Sequence, residues 1–498
     1  MGQGEQPSLL SPPPFSPEVR VTFPGRGDAP TMPTVGRKVQ AGVFLALAAW
    51  GVVLGLTALG WLEPYALKTL DLLFRVTPLP PASPQVVVVT VDQPDLDFFE
   101  EIGHSWPWPR QLYAPLVQFC QRGGARAVIF DILFTSKSIY GTSDDEALAG
   151  ALATSGRVVL PFFLTREAKK AAPGAEAVSE RAALELKGPP PAGLTRYEAL
   201  MPPLPVLARA AAALGNVECR PDADGIYRRL PLVSRSGDRY LPLLAFAAYV
   251  RFQAPGGWGF EEGALKRETY RVPVDEQGRV LLKFRGPARS FKRLSAANMF
   301  LSEVRLQHGE KPFYNPEDLA GAWVLVGLTA PGLYDLKPTP LSPVYPGVEL
   351  HATLLDNLLQ GDFLQAASPW LLRGWGLALA LGVSLVVLLA PRLLYTLPAL
   401  LGLAGLNAAA AGLSFRAGWW LDPVAPGLSL GLAFALAAAY SYATEGRQKQ
   451  AIRRMFAQYM SEQVISHLMA HPERLRLGGE RRRVTLFFSD LAGFTTLS

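Results

Sequence analysis

Val484 to Phe488 is an apolar run that ends in Ser489-Asp490 and continues into a glycine at 493. A carboxylate at the end of a strand, followed by a glycine-containing turn into a helix, suits metal-triphosphate binding. Asp490 would ligate Mg²⁺, and the turn would offer backbone N–H groups to phosphate oxygens. Further upstream, Asp92 and Asp131 fall at or near the ends of two strand-like runs, QVVVVTV (Gln85 to Val91) and AVIFDILF (Ala127 to Phe134). In open α/β sheets the carboxyl ends of strands are where ligands bind. Glu349 and His351 lie on a late helical stretch, with Asp335 in the loop before it. These side chains fit a small-molecule or ion site; the same carboxylates also fit turn and helix caps, positions Asp favours in any fold. No Ser-His-Asp order, HExxH or nucleophile elbow is present, which argues against an exported enzyme.

The elements that must carry these residues divide between membrane and water. The chain has 498 residues, of which 49% are hydrophobic and 18% charged. The charge content lies below the roughly 25% of an average soluble protein, and the deficit sits in four apolar runs. The first, Val39 to Trp61, is uncharged and reaches the roughly 20 residues that cross a bilayer. It is too long for a signal-peptide core, and a long tail precedes it. Three more runs, 370–390, 393–413 and 419–442, follow much later. The polar stretch after Tyr442 carries Arg447, Lys449, Arg453 and Arg454. By the positive-inside rule this puts the C-terminus in the cytoplasm, and Arg37 and Lys38 put the N-terminus there too. The expectation is a multi-pass protein of the inner cell membrane with residues 62–368 outside. No charge lies within the interior of any run, so an anchor is favoured over a channel or transporter. The net charge of +6 flanks apolar runs and forms no basic stripe interleaved with aromatics, so nucleic acid is not expected as a partner. Cys120 and Cys219 lack CxxC spacing and hence a zinc site; a disulfide between them stays open.

Residues 1–36 are rich in Pro, Gly and Ser and are expected to be a disordered cytoplasmic tail. A second such stretch, Arg166 to Pro205, reads as a long loop with a short helix. Elsewhere in the exported part, strands are predicted at 85–91, 127–134, 157–164, 227–233, 279–284 and 323–326. Helices are predicted at 111–122, 144–154 (Ser143 as N-cap), 241–252 and 348–359. Strands alternating with helices predict an α/β domain with a largely parallel sheet.

Several strings carry a family resemblance. WPWPR (Trp106 to Arg110) follows the first strand and its VDQPDL loop. AVIFDILF comes next, then Asp144-Asp145, and much later VGLTAPGLYDLKPTPLSPVYPGVELHA, Gly327 to Ala352, in which the PTP…PGVE-HA segment is the most specific. Together these resemble the CHASE2 extracytoplasmic sensor domain over 62–368. The resemblance includes one preceding helix and three following ones, and it implies a sensor for an unidentified extracytoplasmic ligand.

After the last apolar run, Ile452, Met455, Phe456, Tyr459, Val464, Leu468 and Met469 recur at mostly helical spacing over 445–475. An amphipathic helix pairing with a second copy accounts for that stripe, and packing on the chain's own next domain is the alternative. The string GGERRRVTLFFSDLAGFT, within 476–498, resembles the opening of the class III adenylate/guanylate cyclase domain, and FAQYMSEQVISHLM resembles its linker helix. That resemblance implies a ferredoxin-like α/β domain, an obligatory homodimer, ATP or GTP as substrate, and two Mg²⁺ or Mn²⁺ ions per complete site. It makes Asp490 and the backbone of Leu491 metal ligands, and Gly493, Phe494 and Thr495 phosphate-binding positions. The remaining metal ligand and the base-selecting and transition-state residues have no counterparts up to Ser498. The chain as given is therefore expected not to turn over nucleotide by itself. A non-catalytic dimeric sensor and a kinase output are the other readings; after Tyr442 no H-box or Gly-rich loop with a catalytic lysine occurs.

Overall fold

A computed structural model describes residues 35–167, 172–330, 337–390 and 393–457. Asp335 and the terminal segment bearing Asp490, Leu491, Gly493, Phe494 and Thr495 lie outside these residues, as does most of the N-terminal tail.

Among the described residues four helices are long and apolar enough to cross a membrane: Val35–Ala58, Pro369–Leu389, Thr396–Arg416 and the Val424–Thr444 part of Val424–Ala457. Small residues let three of them approach: Ala46 and Ala49 of the first, Ala380 and Val383 of the second, Ala433 and Ala437 of the fourth form one core. Polar side chains fasten the periphery. Trp50 Nε1 donates to the Arg373 carbonyl at 2.9 Å, and Trp375 Nε1 donates to Asn407 Oδ1 at 2.9 Å. The fourth helix starts at Val424 and not at 419. Pro423 brings no N–H, and the Asp422 carboxylate accepts the Val424 N–H at 2.9 Å, so the turn is capped there. Trp419–Trp420 is instead a short strand. The third helix begins at Thr396, with Pro398 in its first turn, where a missing N–H costs nothing.

Between the first and second membrane helices lies a mixed α/β domain. Its sheet has seven strands: β1 (Val86–Val91), β2 (Ala127–Asp131), β3 (Val158–Thr165), β4 (Ala199–Met201), β5 (Ala213–Asn216), β6 (Lys292–Ser295) and β7 (Trp323–Leu328). The order is β6-β1-β7-β2-β3, with β4 and β5 both paired to β3, and only β4 is antiparallel. Val86, Val88, Ile129, Val159 and Leu325 face one layer, which contains the helices Leu244–Phe252 and Gly347–Gln360. Val87, Val89, Val128, Phe130 and Val324 face the other, under Tyr113–Arg122, Thr142–Ser155 and Ala296–Gln307. Burial on both faces is why these strands read as continuous apolar runs without alternation.

The sheet also answers the cysteine question. Cys120 packs in one layer and Cys219 in the other, and no disulfide joins them. Burial pushes the Cys120 thiol up to about 12.

Elsewhere the segments predicted at 227–233 and 279–284 are only a small antiparallel pair, Arg229–Pro231 with Arg279–Leu281, outside the main sheet. The 241–252 helix begins at Leu244, because residues 239–242 close a hairpin with Val233–Ser236. Within 166–205 the described residues form the helix Ala175–Ala182 and the strands Arg196–Tyr197 and Ala199–Met201. Ser143 is not a cap: the helix starts at Thr142 from Gly141, whose φ of 103° suits glycine.

Candidate functional site

The helix Gly347–Gln360 lies across the two central strands β1 and β7. Its close approach depends on Gly327 at the end of β7. A methyl group there would come within 2.5 Å of Val348 Cβ. Seated this way, the helix turns its two flanks toward different neighbours within one layer.

On one flank, Gly347 and His351 are four residues apart and share a face. A Cβ on Gly347 would lie 3.1 Å from Lys337 Cε and 3.5 Å from Asp131 Oδ2. Asp131 ends β2, so its carboxylate, the Lys337 stem and the start of the helix meet at the carboxyl edge of the sheet. Lys337 Nζ also lies 5.0 Å from the centre of the Tyr227 ring. His351 is 3% exposed, and its Nδ1 has no hydrogen-bond partner among the described residues. Burial lowers its pKa; the Asp131 charge opposes that shift and the Lys337 charge adds to it.

On the other flank, Glu349 accepts the Arg289 N–H through Oε2 at 2.8 Å, and its Oε1 has no partner among the described residues. Burial raises its pKa, against the Arg289 N–H bond and the charges of Arg293 and Arg289. Further along that flank, Asp356 pairs with Arg285, both fully buried. Glu349 and His351 therefore serve two different surroundings, and the structure does not bring them together.

Asp92 is a structural cap. Its Oδ1 accepts the Asp95 N–H at 3.4 Å, and Asp95 Oδ2 accepts the Asp92 N–H at 2.9 Å, a capping box on the helix Gln93–Glu101. Asp95 Oδ1 also accepts the Ser295 hydroxyl and, at 3.0 Å, the Ala297 N–H, tying β6 and its helix to the end of β1. Burial first, then the hydrogen bond with Asp92, pushes the Asp95 carboxyl up to about 6. A carboxyl raised above its free value near 3.9 stabilises the fold below that value, and the contribution is lost as pH rises through about 6. The wild type is expected to lose stability relative to Asp95→Asn between pH 4 and 6.5. Denaturant melts of both proteins at four pH values check this; parallel curves would contradict it.

WPWPR has a packing role that its sequence did not reveal. The Asp144 carboxylate accepts the backbone N–H groups of Arg110 and Gln111, each at 2.8 Å. The Arg110 guanidinium reaches Asp145 and the Ser136 carbonyl. The Trp106, Trp108, Phe99 and Tyr113 rings stack around this loop. The motif thus locks two helices of one layer to the end of β2. The family motif at the late helix is explained in the same terms: Gly347 lets Lys337 and Asp131 approach the helix start, and Val348 packs on Gly327.

At the membrane-proximal base, Arg228 is fully buried among Asp71, Asp222 and Asp224. Asp71 lies on the helix Glu63–Val76, which follows the first membrane helix. The strand Gln365–Ala366 pairs in parallel with Trp419–Trp420. Gln365 N–H donates to the Gly418 carbonyl and Ala367 N–H to the Trp420 carbonyl, each at 2.9 Å. Phe74 meets Phe415 edge-on at 5.0 Å, and Arg229 lies 5.7 Å from the centre of a Trp420 ring. Sequence reasoning missed this junction, because Trp419 and Trp420 open the apolar run predicted at 419–442.

An α/β domain strung between helices long and apolar enough to span a membrane, with its base joined to a helical hairpin, has the build of a membrane-anchored sensor. Residues 46–390 match the CHASE2 domain, a family of extracellular sensor domains, and the chain belongs to that family. No curated protein and no solved structure matches it. Among the described residues no cluster of three or more His, Cys, Asp or Glu forms a metal centre.

Proposed function

We propose that this chain is the sensing and membrane-coupling part of a receptor whose output is a class III adenylate/guanylate cyclase domain. The observation that carries the reading is the string VTLFFSDLAGFT, 484–495, downstream of a helix that continues from the last membrane span to Ala457. The sensor faces the outside and both termini the cytoplasm, as the basic residues flanking the spans favour. A ligand at the carboxyl edge of the sheet biases the seat of the helix Gly347–Gln360. Residues 361–368 connect that helix directly to Pro369–Leu389, and their backbone bonds to 418–420 engage the third and fourth helices as well. The fourth helix then carries the change to the pairing of two linker helices in a homodimer.

In the complete output domain, Asp490 and the backbone of Leu491 hold the Mg²⁺ or Mn²⁺ ions, and Gly493, Phe494 and Thr495 line the triphosphate of ATP or GTP. The ions supply charge neutralisation of the triphosphate; the chain's own part is to fix a carboxylate at a strand end and a turn of N–H groups beside it. The test is a protein extended through the remainder of the catalytic domain and supplied with Mg²⁺ and either nucleotide. Cyclic product that Asp490→Ala abolishes is the expected result. Absence of cyclic product from both nucleotides overturns the cyclase output.

A further inference from the structure

We infer that a cavity beside β5 takes a small organic acid, one carboxylate on a short apolar body. The inference goes beyond the sensor reading and stands without it. The cavity has a volume of about 260 Å³ and is lined from the helices Ala175–Ala182 and Leu244–Phe252 and from the start of β5. The charged side chains that line it are two guanidinium groups, Arg181 and Arg251, and no carboxylate lines it among the described residues. Arg181 is held in place. Its Nη1 donates to the carbonyls of Ala208 and, at 3.2 Å, Arg209, and its Nη2 donates to that of Ala211. It therefore supplies fixed positive charge. Arg251 supplies the donors: it is exposed and makes no hydrogen bond or ion pair among the described residues. Nor does it cap its own helix end, where Arg126 Nη2 already donates to the Phe252 carbonyl at 2.6 Å. The two charges act on each other: partial burial first, and then the Arg251 charge, lower the Arg181 pKa. The fold thus sets two like charges on one cavity with no lining acid to offset them, a cost that a bound anion removes. The Arg251 fork matches a carboxylate or a phosphate bidentately. The walls choose between these. Ala182, Leu184, Leu214, Ala247 and Val250 offer no side-chain donor. Phosphate or sulfate would turn oxygens toward those walls without partners, whereas an apolar body needs none. At about 30 Å³ per water in the liquid, the space equals about eight waters, which suits an acid the size of benzoate or isovalerate.

The full chain in lipid nanodiscs is titrated with benzoate and with isovalerate by calorimetry, and melted in the presence of each. Benzamide, isovaleramide, phosphate and sulfate serve as controls. At least one of the two acids is expected to bind and to raise Tm, with the amides and the inorganic anions inactive. Arg251→Gln is expected to weaken that acid about 10-fold or more. Its unliganded Tm should stay at or above that of the wild type, because a like charge is gone. Ala183→Phe, at a partly exposed wall position, is expected to abolish binding by filling the cavity. Binding that survives both variants removes the site. Loss in only one of the two variants overturns the joint use of charge and apolar wall. Phosphate or sulfate binding as well as the acids overturns the organic acid as ligand. No binding of either acid overturns the proposal as well.

Discussion

Arg228→Ala is expected to lower the unfolding free energy by about 3 kcal/mol, the low end for breaking a buried ion cluster, because Asp71 and Asp224 are part-exposed. The guanidinium is fully buried and forks onto Asp71, both bonds 2.7 Å, and onto Asp224 at 2.8 and 2.7 Å. Asp222 is shared among Arg228, Arg229 at 2.9 Å and Arg279 at 3.2 Å. Removing Arg228 leaves Asp71 and Asp224 facing each other without their common cation. Lysine does not restore the fork, because its ammonium is a point donor and cannot satisfy two carboxylates bidentately. Arg228→Lys is therefore expected to recover only part of the loss. The cluster joins the helix after the first membrane span to the rest of the domain, so the damage should localise there. Denaturant unfolding in nanodiscs measures the total, and hydrogen exchange over 63–76 measures the location. A loss under about 1 kcal/mol would place the cluster among screened surface pairs and contradict its burial.

Asp356→Ala should cost a similar about 3–5 kcal/mol, for a different reason. Here the pair is Arg285 with Asp356, both 0% exposed. Asp356 Oδ1 also accepts the Ser83 N–H at 3.1 Å and the Gln360 amide at 2.9 Å. Loss of the carboxylate strands a buried guanidinium whose Nη2 is already unpartnered among the described residues. Asp362, at 2.8 Å from Arg285 Nη1, retains part of the pairing, which keeps the expected cost within that range. Because Asp356 sits one turn before the connection into the second membrane helix, the variant should also raise hydrogen exchange across 361–368 and 417–421. Unchanged exchange in those segments, with the stability lost, would separate the sensor helix from the membrane junction and sink the proposed route of coupling.

Parts of this architecture were legible because one physical rule governs them. Strands covered on both faces must be apolar at every position, so β1, β2 and β7 stood out as runs. β6 did not. Lys292–Ser295 pairs only with Val87–Thr90 at the sheet edge, so polar side chains are tolerated and no pattern survives. β5 is four residues with a glycine, too short to show a period, and Gly215 is fixed there by Leu244 Cα, 2.5 Å from where a Cβ would stand.

The candidate site was partly legible for a related reason. A strand-end aspartate and a histidine in a specific late motif can be picked out one at a time. That Asp131 lies beside the start of the helix Gly347–Gln360 while Glu349 turns to the Arg289 N–H depends on how that helix seats on Gly327, and no local spacing encodes that. Asp92 holds the same kind of strand-end position and takes the capping role the sequence also allowed, in a capping box. Trp419 and Trp420 read as part of a membrane run, because the strand that pairs with them lies more than fifty positions earlier in the chain.

The central claim is that a sensor on one side of the membrane is coupled to an output on the other. Single cysteines at Ile139, exposed on the α/β domain, and at Val35 and Thr444, at the far ends of the first and fourth membrane helices, test it in right-side-out vesicles. A membrane-impermeant maleimide should label Ile139→Cys at once, and Val35→Cys and Thr444→Cys only after permeabilisation. Equal labelling of all three before permeabilisation would put sensor and output on the same side and end the account.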